Sequence, residues 1–339
     1  MAIPAQTRTD ETVHTLFQLG AVPKKRESEF TTPQQGSKVT KMGVATRLLD
    51  GISGIESKCG FKMSGNDKND LAQSLAREIM SLGGDDAINR KTSELLKAMS
   101  EIALAEGKKT KGQALALSAI LRTFSGSSEN IPNFFKHPDE FVQIARIARE
   151  GAYWAFSALG GKFNALNFDK HPKEMVQIAR VGEGKEGVGA PDKMILFFDE
   201  EKPAKMLDTF PTECVQLVQA CGTGILIEIL GNEKTTALFF EHSASFVEMG
   251  RTAGRNARSY VHALQNDRLN SFFAKDPGKT IVAFEEISKY FQRDQSKVSM
   301  AFYKLSKDEK VTADFLSWQN GGMPKEKFFE NLEEAMKKF

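Results

Sequence analysis

Residues 133–146 read NFFKHPDEFVQIAR, and residues 167–180 read NFDKHPKEMVQIAR. The two stretches are identical at 11 of 14 positions and lie 34 residues apart. Near-copies this close mean that the chain is built by repetition, with one supersecondary unit per period stacked on the next. In the first copy Pro138 stands where a helix begins, since the N–H it lacks has no partner in a first turn. Asp139 and Glu140 follow it, and Arg146 and Arg149 lie near the end, which suits the helix dipole. Gly151 is the expected stop. The second copy keeps the order with Pro172, Glu174, Arg180 and Gly182. Weaker copies are expected from Pro211 to Gly222, from Ser243 to near Gly254, from Pro277, and from Pro324 to the C-terminus.

One face of each such helix is apolar. Phe141, Ile144, Ala145 and Ala148 fall at spacings of three and four, and Met175, Ile178, Ala179 and Gly182 are their equivalents. Cys214, Leu217, Val218 and Cys221 make the third set. Before each proline helix a short segment ends in Phe or Leu, at 133–135, 165–168, 205–207, 238–240 and 271–273, and Phe135 and Phe141 are both expected in the core. Before that segment a short apolar helix is expected near 153–159, 225–230 and 260–264, closed by Gly160-Gly161, Gly231-Asn232 and Gln265-Asn266-Asp267. The expected unit is three short helices in about 34 residues, with spacings drifting between roughly 32 and 47. Such a unit cannot bury its apolar face alone and must stack on its neighbours.

In plan this build resembles the armadillo and HEAT-like solenoids, although none of their consensus positions is present and the likeness is architectural. The fold class expected is therefore all-α, an α-solenoid of about six units. Three regions follow: a flexible N-terminal arm at 1–43, an N-terminal helical domain at 44–110, and the helical-repeat array at 111–339. The arm is rich in Thr, Gln, Pro and Lys, with a short helix expected near 11–19; Pro23-Lys24-Lys25-Arg26 is read as a solvated basic cluster. In the helical domain a helix is expected at 44–57, and another capped by Asn66-Asp67 and running to Leu82. A third, from Asp85, carries Ile88, Leu95, Leu96, Met99, Ile102 and Ala103 on one face. Residues 107–112, GKKTKG, read as an exposed turn.

Composition narrows the function classes. The 46 basic and 44 acidic residues leave a net charge of +2, so no global field draws the chain to nucleic acid or membrane. No apolar run approaches the roughly 20 residues that span a bilayer, and MAIPAQTRTDETVH lacks the basic-then-apolar order of a secretory signal. Three cysteines, Cys59, Cys214 and Cys221, make no disulfide framework and fit a reducing, cytoplasmic setting. With 25 Phe against 4 Tyr and 2 Trp, the aromatic residues read as helix-packing core, because Phe has no polar atom to satisfy.

Several stretches imitate catalytic or metal motifs and fall short. GEGKEG at 182–187 has the dinucleotide-loop glycines, but Val188-Gly189-Ala190-Pro191 follows where a long helix must start. MILFFDE at 194–200 looks like a magnesium-holding strand, and Gly278-Lys279-Thr280 like the end of a phosphate loop. Position 273, where that loop needs its first glycine, is Phe. Asn66-Asp67-Lys68-Asn69-Asp70 lacks the glycine and glutamate of a calcium loop. His14, His137, His171, His242 and His262 make no i, i+4 pair, and Cys214 and Cys221 lie about 10.5 Å apart along one helix. No metal, no cofactor and no enzymatic activity are expected.

One feature remains. Opposite the core face the repeated helix shows Gln143 and Arg146, then Gln177 and Arg180, then Gln216 and Gln219, then Glu248 and Arg251, with Arg255 just beyond. Stacked units would align these side chains into a Gln/Arg ladder. The expected function is non-catalytic binding or scaffolding through that ladder, with a protein or extended peptide as partner. Nucleic acid, held by its phosphates on the same arginines, is the alternative. Glu285 at the next equivalent position interrupts the row.

Overall fold

The structure, a computed structural model, describes residues 39–59, 64–103, 130–183 and 190–338. The expected arm up to residue 38, the turn at 107–112 and most of the 182–187 glycine stretch lie outside the described residues. From Thr40 to Phe339 the chain forms one unit. Among the described residues its regular structure is helical, without a strand. The strand-like MILFFDE is the helix Pro191–Leu196 running into a 3-10 turn, Phe197–Asp199.

Three longer helices come first: Lys41–Cys59, Gly65–Met80 and Asp85–Ala103. Val44, Leu48, Ile52 and Ile55 bury one face of the first helix, which packs on the other two. The second is capped by Ser64, whose Oγ accepts from the N–H of Asp67 at 3.1 Å, and not by Asn66 or Asp67. It ends at Met80, short of Leu82; Gly83 and Gly84 then take φ of 66° and 76°, values that favour glycine. On the third helix Ile88, Leu95, Met99, Ile102 and Ala103 are buried as expected and Leu96 only in part.

Beyond residue 130 a first helix, a second helix beginning at a joint, and a short third helix follow one another. The first helices are Asn130–Lys136, Lys162–Lys170, Glu201–Thr209 and Asp267–Lys275. The second are Pro138–Ala148, Pro172–Val181, Pro211–Cys221 and Pro277–Tyr290. The third are Ala152–Leu159, Pro191–Leu196, Gly224–Leu230, Ala257–Ala263 and Gln295–Lys307. In Glu233–Ala253 the first and second helices run together. Glu309–Gln319 and Lys325–Lys337 close the chain, with Pro324 at the N-cap position and not inside the first turn.

The joint has nearly one geometry at four of its five occurrences; at the fifth, Asp276 before Pro277 is more extended, at −149/81°. Before the prolines, His137, His171 and Phe210 have φ/ψ of −126/49°, −130/52° and −133/58°. Proline disfavours helical dihedrals in the residue before it, which accounts for these three. His242 precedes Ser243, yet it takes −133/38° inside an otherwise continuous helix. There the packing of the helices, and not a proline ring, sets the bend. A second recurrence lies at the far end of the repeated helix. Arg149 has φ/ψ of 47/−115°, and Gly254, eleven residues past Ser243 as Arg149 is past Pro138, has 53/−120°. Gly151 is thus not the stop; the turn is made at Arg149, in a region an L side chain enters under strain.

The second helices pack in series: Pro138–Ala148 on Pro172–Val181, then Pro211–Cys221, then Glu233–Ala253, then Pro277–Tyr290. Asp85–Ala103 packs on the first of them. Phe141, Ile144, Ala145 and Ala148 are buried, as are Met175, Ile178 and Ala179, and Cys214, Leu217 and Val218; Cys221 is buried only in part. Val142, Val176, Val215 and Val247 widen that face. Of the first-helix pair Phe134-Phe135, the core residue is Phe134. Phe135 is half-buried and lies under the Lys91 ammonium, 5.0 Å from its ring centre. Phe134 belongs with Phe168, Leu207, Phe239 and Phe273, each three residues before its joint. Among the twelve largest fully buried side chains described, eleven are Phe and one is Tyr260, as the composition implied.

Candidate binding face

On the second helices the positions five and eight residues after the joint proline or its equivalent point away from the core. Gln177, Arg180, Gln219 and Arg251 are exposed, as is Arg255 on the following turn; Arg146 is exposed, and Gln143 and Gln216 are half-buried. Since their helices pack in series, these side chains occupy corresponding places on successive neighbours. They are not equally free. Arg146 Nη2 donates to Glu101 Oε2 at 2.9 Å, which neutralises the first rung from the helix Asp85–Ala103. Arg149 reaches Glu183 at 3.8 Å. Arg180, Arg251 and Arg255 have no ion-pair partner among the described residues.

The fifth rung is occupied differently. Glu285 is buried; its Oε2 accepts from Tyr260 Oη at 3.2 Å, and Arg293 closes on its Oε1. Tyr260 Oη also lies 2.7 Å from Ser288 Oγ, and burial pushes the phenol pKa well up. Glu285 thus ends the face by turning inward to pair. A row of carboxylates, Glu140, Glu174 and Glu213, lies half-buried in the first turns of the same helices, six residues before the arginine row. Six residues are about 9 Å along a helix, so on the first two helices a glutamate, a glutamine and an arginine follow one another along the face; on the third Gln219 takes the arginine's place, and on the fourth Glu248 takes the glutamine's.

The catalytic look-alikes resolve into structure. Asp276 Oδ1 accepts from the N–H of Lys279 at 2.9 Å, so the helix N-terminus beneath Gly278-Lys279-Thr280 carries its own carboxylate where a phosphate would sit. Asp199, the first acid of MILFFDE, accepts from the N–H groups of Phe163 and Asn164 at 3.0 and 3.1 Å and caps the helix Lys162–Lys170. A Cβ on Gly161 would lie 2.0 Å from that carboxylate, which is why the position holds glycine. His137 and His171 link neighbouring helices: with Lys136 and Lys170 they hold Asp169, on Lys162–Lys170, and Asp208, on Glu201–Thr209. No group of three metal-ligating side chains occurs among the described residues. Burial raises the Cys221 thiol to about 11, and Cys214 further, so both thiols stay protonated at neutral pH.

One cluster escaped sequence reasoning. Glu228 Oε1 accepts from Gln265 Nε2 at 2.9 Å and lies 3.0 Å from His262 Nδ1, while Arg258 Nε donates to its Oε2 at 3.0 Å. Tyr303 stacks on the His262 ring with centroids 6.2 Å apart. Glu228 and His262 are 34 residues apart, and other polar contacts between separate helices occur at separations of 32 to 40. The 34-residue spacing of the sequence copies was therefore the available signal, but it marks which helices meet and not the chemistry between them. No helix among the described residues is long and apolar enough to cross a membrane. Comparison with family models, with curated proteins and with solved structures finds no match.

Proposed function

We propose that the chain is an α-solenoid whose second helices present a non-catalytic binding face, and that it works as a scaffold by holding an extended polypeptide across them. The observation that carries this reading is the division of each second helix. Positions three, four, six and seven after its start are buried on every copy, while on the first three copies positions five and eight are outward-facing carboxamides and guanidinium groups; the fourth carries Glu248 and Arg251 there, and the fifth an exposed Val282 and the buried Glu285. A carboxamide offers one acceptor and two donors, so Gln177 and Gln216 suit both the C=O and the N–H of a peptide backbone laid across them. Helices Lys41–Cys59, Gly65–Met80 and Asp85–Ala103 close the start of the stack in this reading, and Lys325–Lys337 closes its end with a charged outer side. The free thiols of Cys214 and Cys221 fit a reducing, cytoplasmic setting.

Nucleic acid is the weaker reading. The Glu140, Glu174 and Glu213 row and the pairing of Arg146 with Glu101 take away the continuous positive strip that phosphates require. Selection of binding peptides from a random displayed library, followed by solution affinities, tests the proposal. Gln177→Ala/Gln216→Ala should weaken selected peptides by about tenfold, near 1.4 kcal/mol, without changing the melting curve. Peptides that bind the double variant as well as wild type would place the binding face elsewhere.

A further inference from the structure

Resting on that reading, we infer that the face selects an acidic extended peptide whose two carboxylates lie six residues apart, the first on Arg180 and the second on Arg251 with Arg255. The free cations define the footprint. Arg146 is held by Glu101, and the fifth rung is the inward-turned Glu285, so the open section runs over three neighbouring helices. At its two ends stand guanidinium groups without ion-pair partners among the described residues, Arg180 on one side and Arg251 with Arg255 on the other. Between them the same position is Gln219, neutral and exposed. Guanidinium is the group best matched to a carboxylate, which it can bind through two parallel hydrogen bonds.

The spacing follows from packing. Neighbouring helix axes lie about 8–10 Å apart, and an extended or polyproline II chain advances about 3.1–3.3 Å per residue. Three peptide residues therefore match one helix, and the two-helix step from Arg180 to Arg251 matches six. A hydrogen-bonding residue midway, three from each acid, meets Gln219. Gln177 and Gln216, one turn inward, remain for the peptide backbone.

The same numbers disfavour a polyphosphate occupant. Over roughly 18 Å a nucleic-acid duplex carries about ten negative charges, at one per 1.7 Å. Three free arginines would face them, with Glu174, Glu213 and Glu248 exposed or half-exposed on the same helices. A single strand would need aromatic platforms for its bases, and positions five and eight of these three helices hold none.

The test is a set of fluorescent peptides in an Ala/Pro/Gln background, carrying two Glu residues at separations from three to nine, with anisotropy read at low and physiological salt. Affinity should peak at separation six and fall about tenfold when either Glu is replaced by Gln in the peptide. Arg180→Gln should reduce the two-Glu peptide to the affinity of a one-Glu peptide. Arg180→Glu should restore binding to a peptide with Arg in place of its first Glu. Equal binding at all separations, or of the uncharged peptide, overturns the acidic rule while leaving the peptide-binding reading standing. If no peptide binds, or a mixed-sequence oligonucleotide binds more tightly than every peptide, both fail.

Discussion

Replacement of Ser243 by proline (Ser243→Pro) separates two descriptions of the segment Glu233–Ala253 by several kcal/mol. If that segment is one helix of 21 residues, proline at its eleventh position removes a hydrogen bond and clashes with the preceding turn, at a cost of about 3 kcal/mol. If it is a joint like the others, proline costs nothing. His242 already holds φ/ψ of −133/38°, close to those of His137, His171 and Phe210, each of which precedes a proline. The substitution then only narrows the unfolded ensemble and stabilises by about 0.4–1 kcal/mol. The two outcomes stand about 3.5–4 kcal/mol apart. Ala237→Pro is the control, because Ala237 is exposed in the body of the same helix and should show the full penalty. Urea denaturation followed by circular dichroism gives the comparison. If Ser243→Pro is as damaging as Ala237→Pro, the joint is not a repeated structural feature and the register assigned to this unit is wrong.

Four further outcomes are expected. Phe141→Ala should cost about 3–5 kcal/mol, because its ring is buried against Phe134, Phe156 and Phe168 at 5.3, 5.6 and 4.9 Å. Phe135→Ala, which loses partial burial and a cation–π contact, should cost about 1 kcal/mol, and equal losses in urea melts would contradict the burial described. Asp199→Ala should cost about 1 kcal/mol by uncapping Lys162–Lys170. Adding Gly161→Asn should recover it by giving that helix the self-cap that Asn232 and Asn266 give theirs; a double variant no better than the single one argues against the cap. Arg149→Gly should stabilise by about 1 kcal/mol, since glycine relieves the positive φ; a loss of stability would mean that the Arg149 side chain matters more than its backbone.

Asp208 supplies the pH test. Hydrogen bonds from Lys170 and His171 hold its carboxyl below the ordinary 3.8. A carboxylate depressed in the fold stabilises it above its unfolded value, and that contribution is lost as pH falls through the lower folded value. With 43% of the side chain exposed the effect stays below about 1 kcal/mol. The gap in urea midpoint between wild type and Asp208→Asn should therefore be present near neutral pH and narrow as pH falls below the ordinary carboxylate range. A gap that persists in acid would assign it to something other than the carboxylate charge.

Much of the helix pattern was legible because the apolar spacing and the prolines act locally. Phe141, Ile144 and Ala145 declared a face at helical period, and Pro138, Pro172, Pro211 and Pro277 marked where helices begin. Errors arose where the deciding contact lay on another helix. Phe134 and Phe135 are equivalent as sequence, and only the packing of their helix on Lys162–Lys170, with the Phe134 ring edge-on to Phe141 at 5.3 Å, makes one of them core. Gly161 reads as a turn residue until Asp199 arrives from 38 residues downstream to occupy its side-chain space. The ladder shows the same division. The sequence by itself determined which side of each second helix faces out, because burial of a 3.6-residue stripe leaves the rest to solvent. Tertiary structure alone decided which of these side chains pair: Arg146 meets Glu101, and Glu285 turns in to Tyr260 and Arg293, while Arg180, Arg251 and Arg255 have no ion-pair partner among the described residues. An ion pair depends on distances between segments far apart in the chain, and no local pattern of residues carries that information.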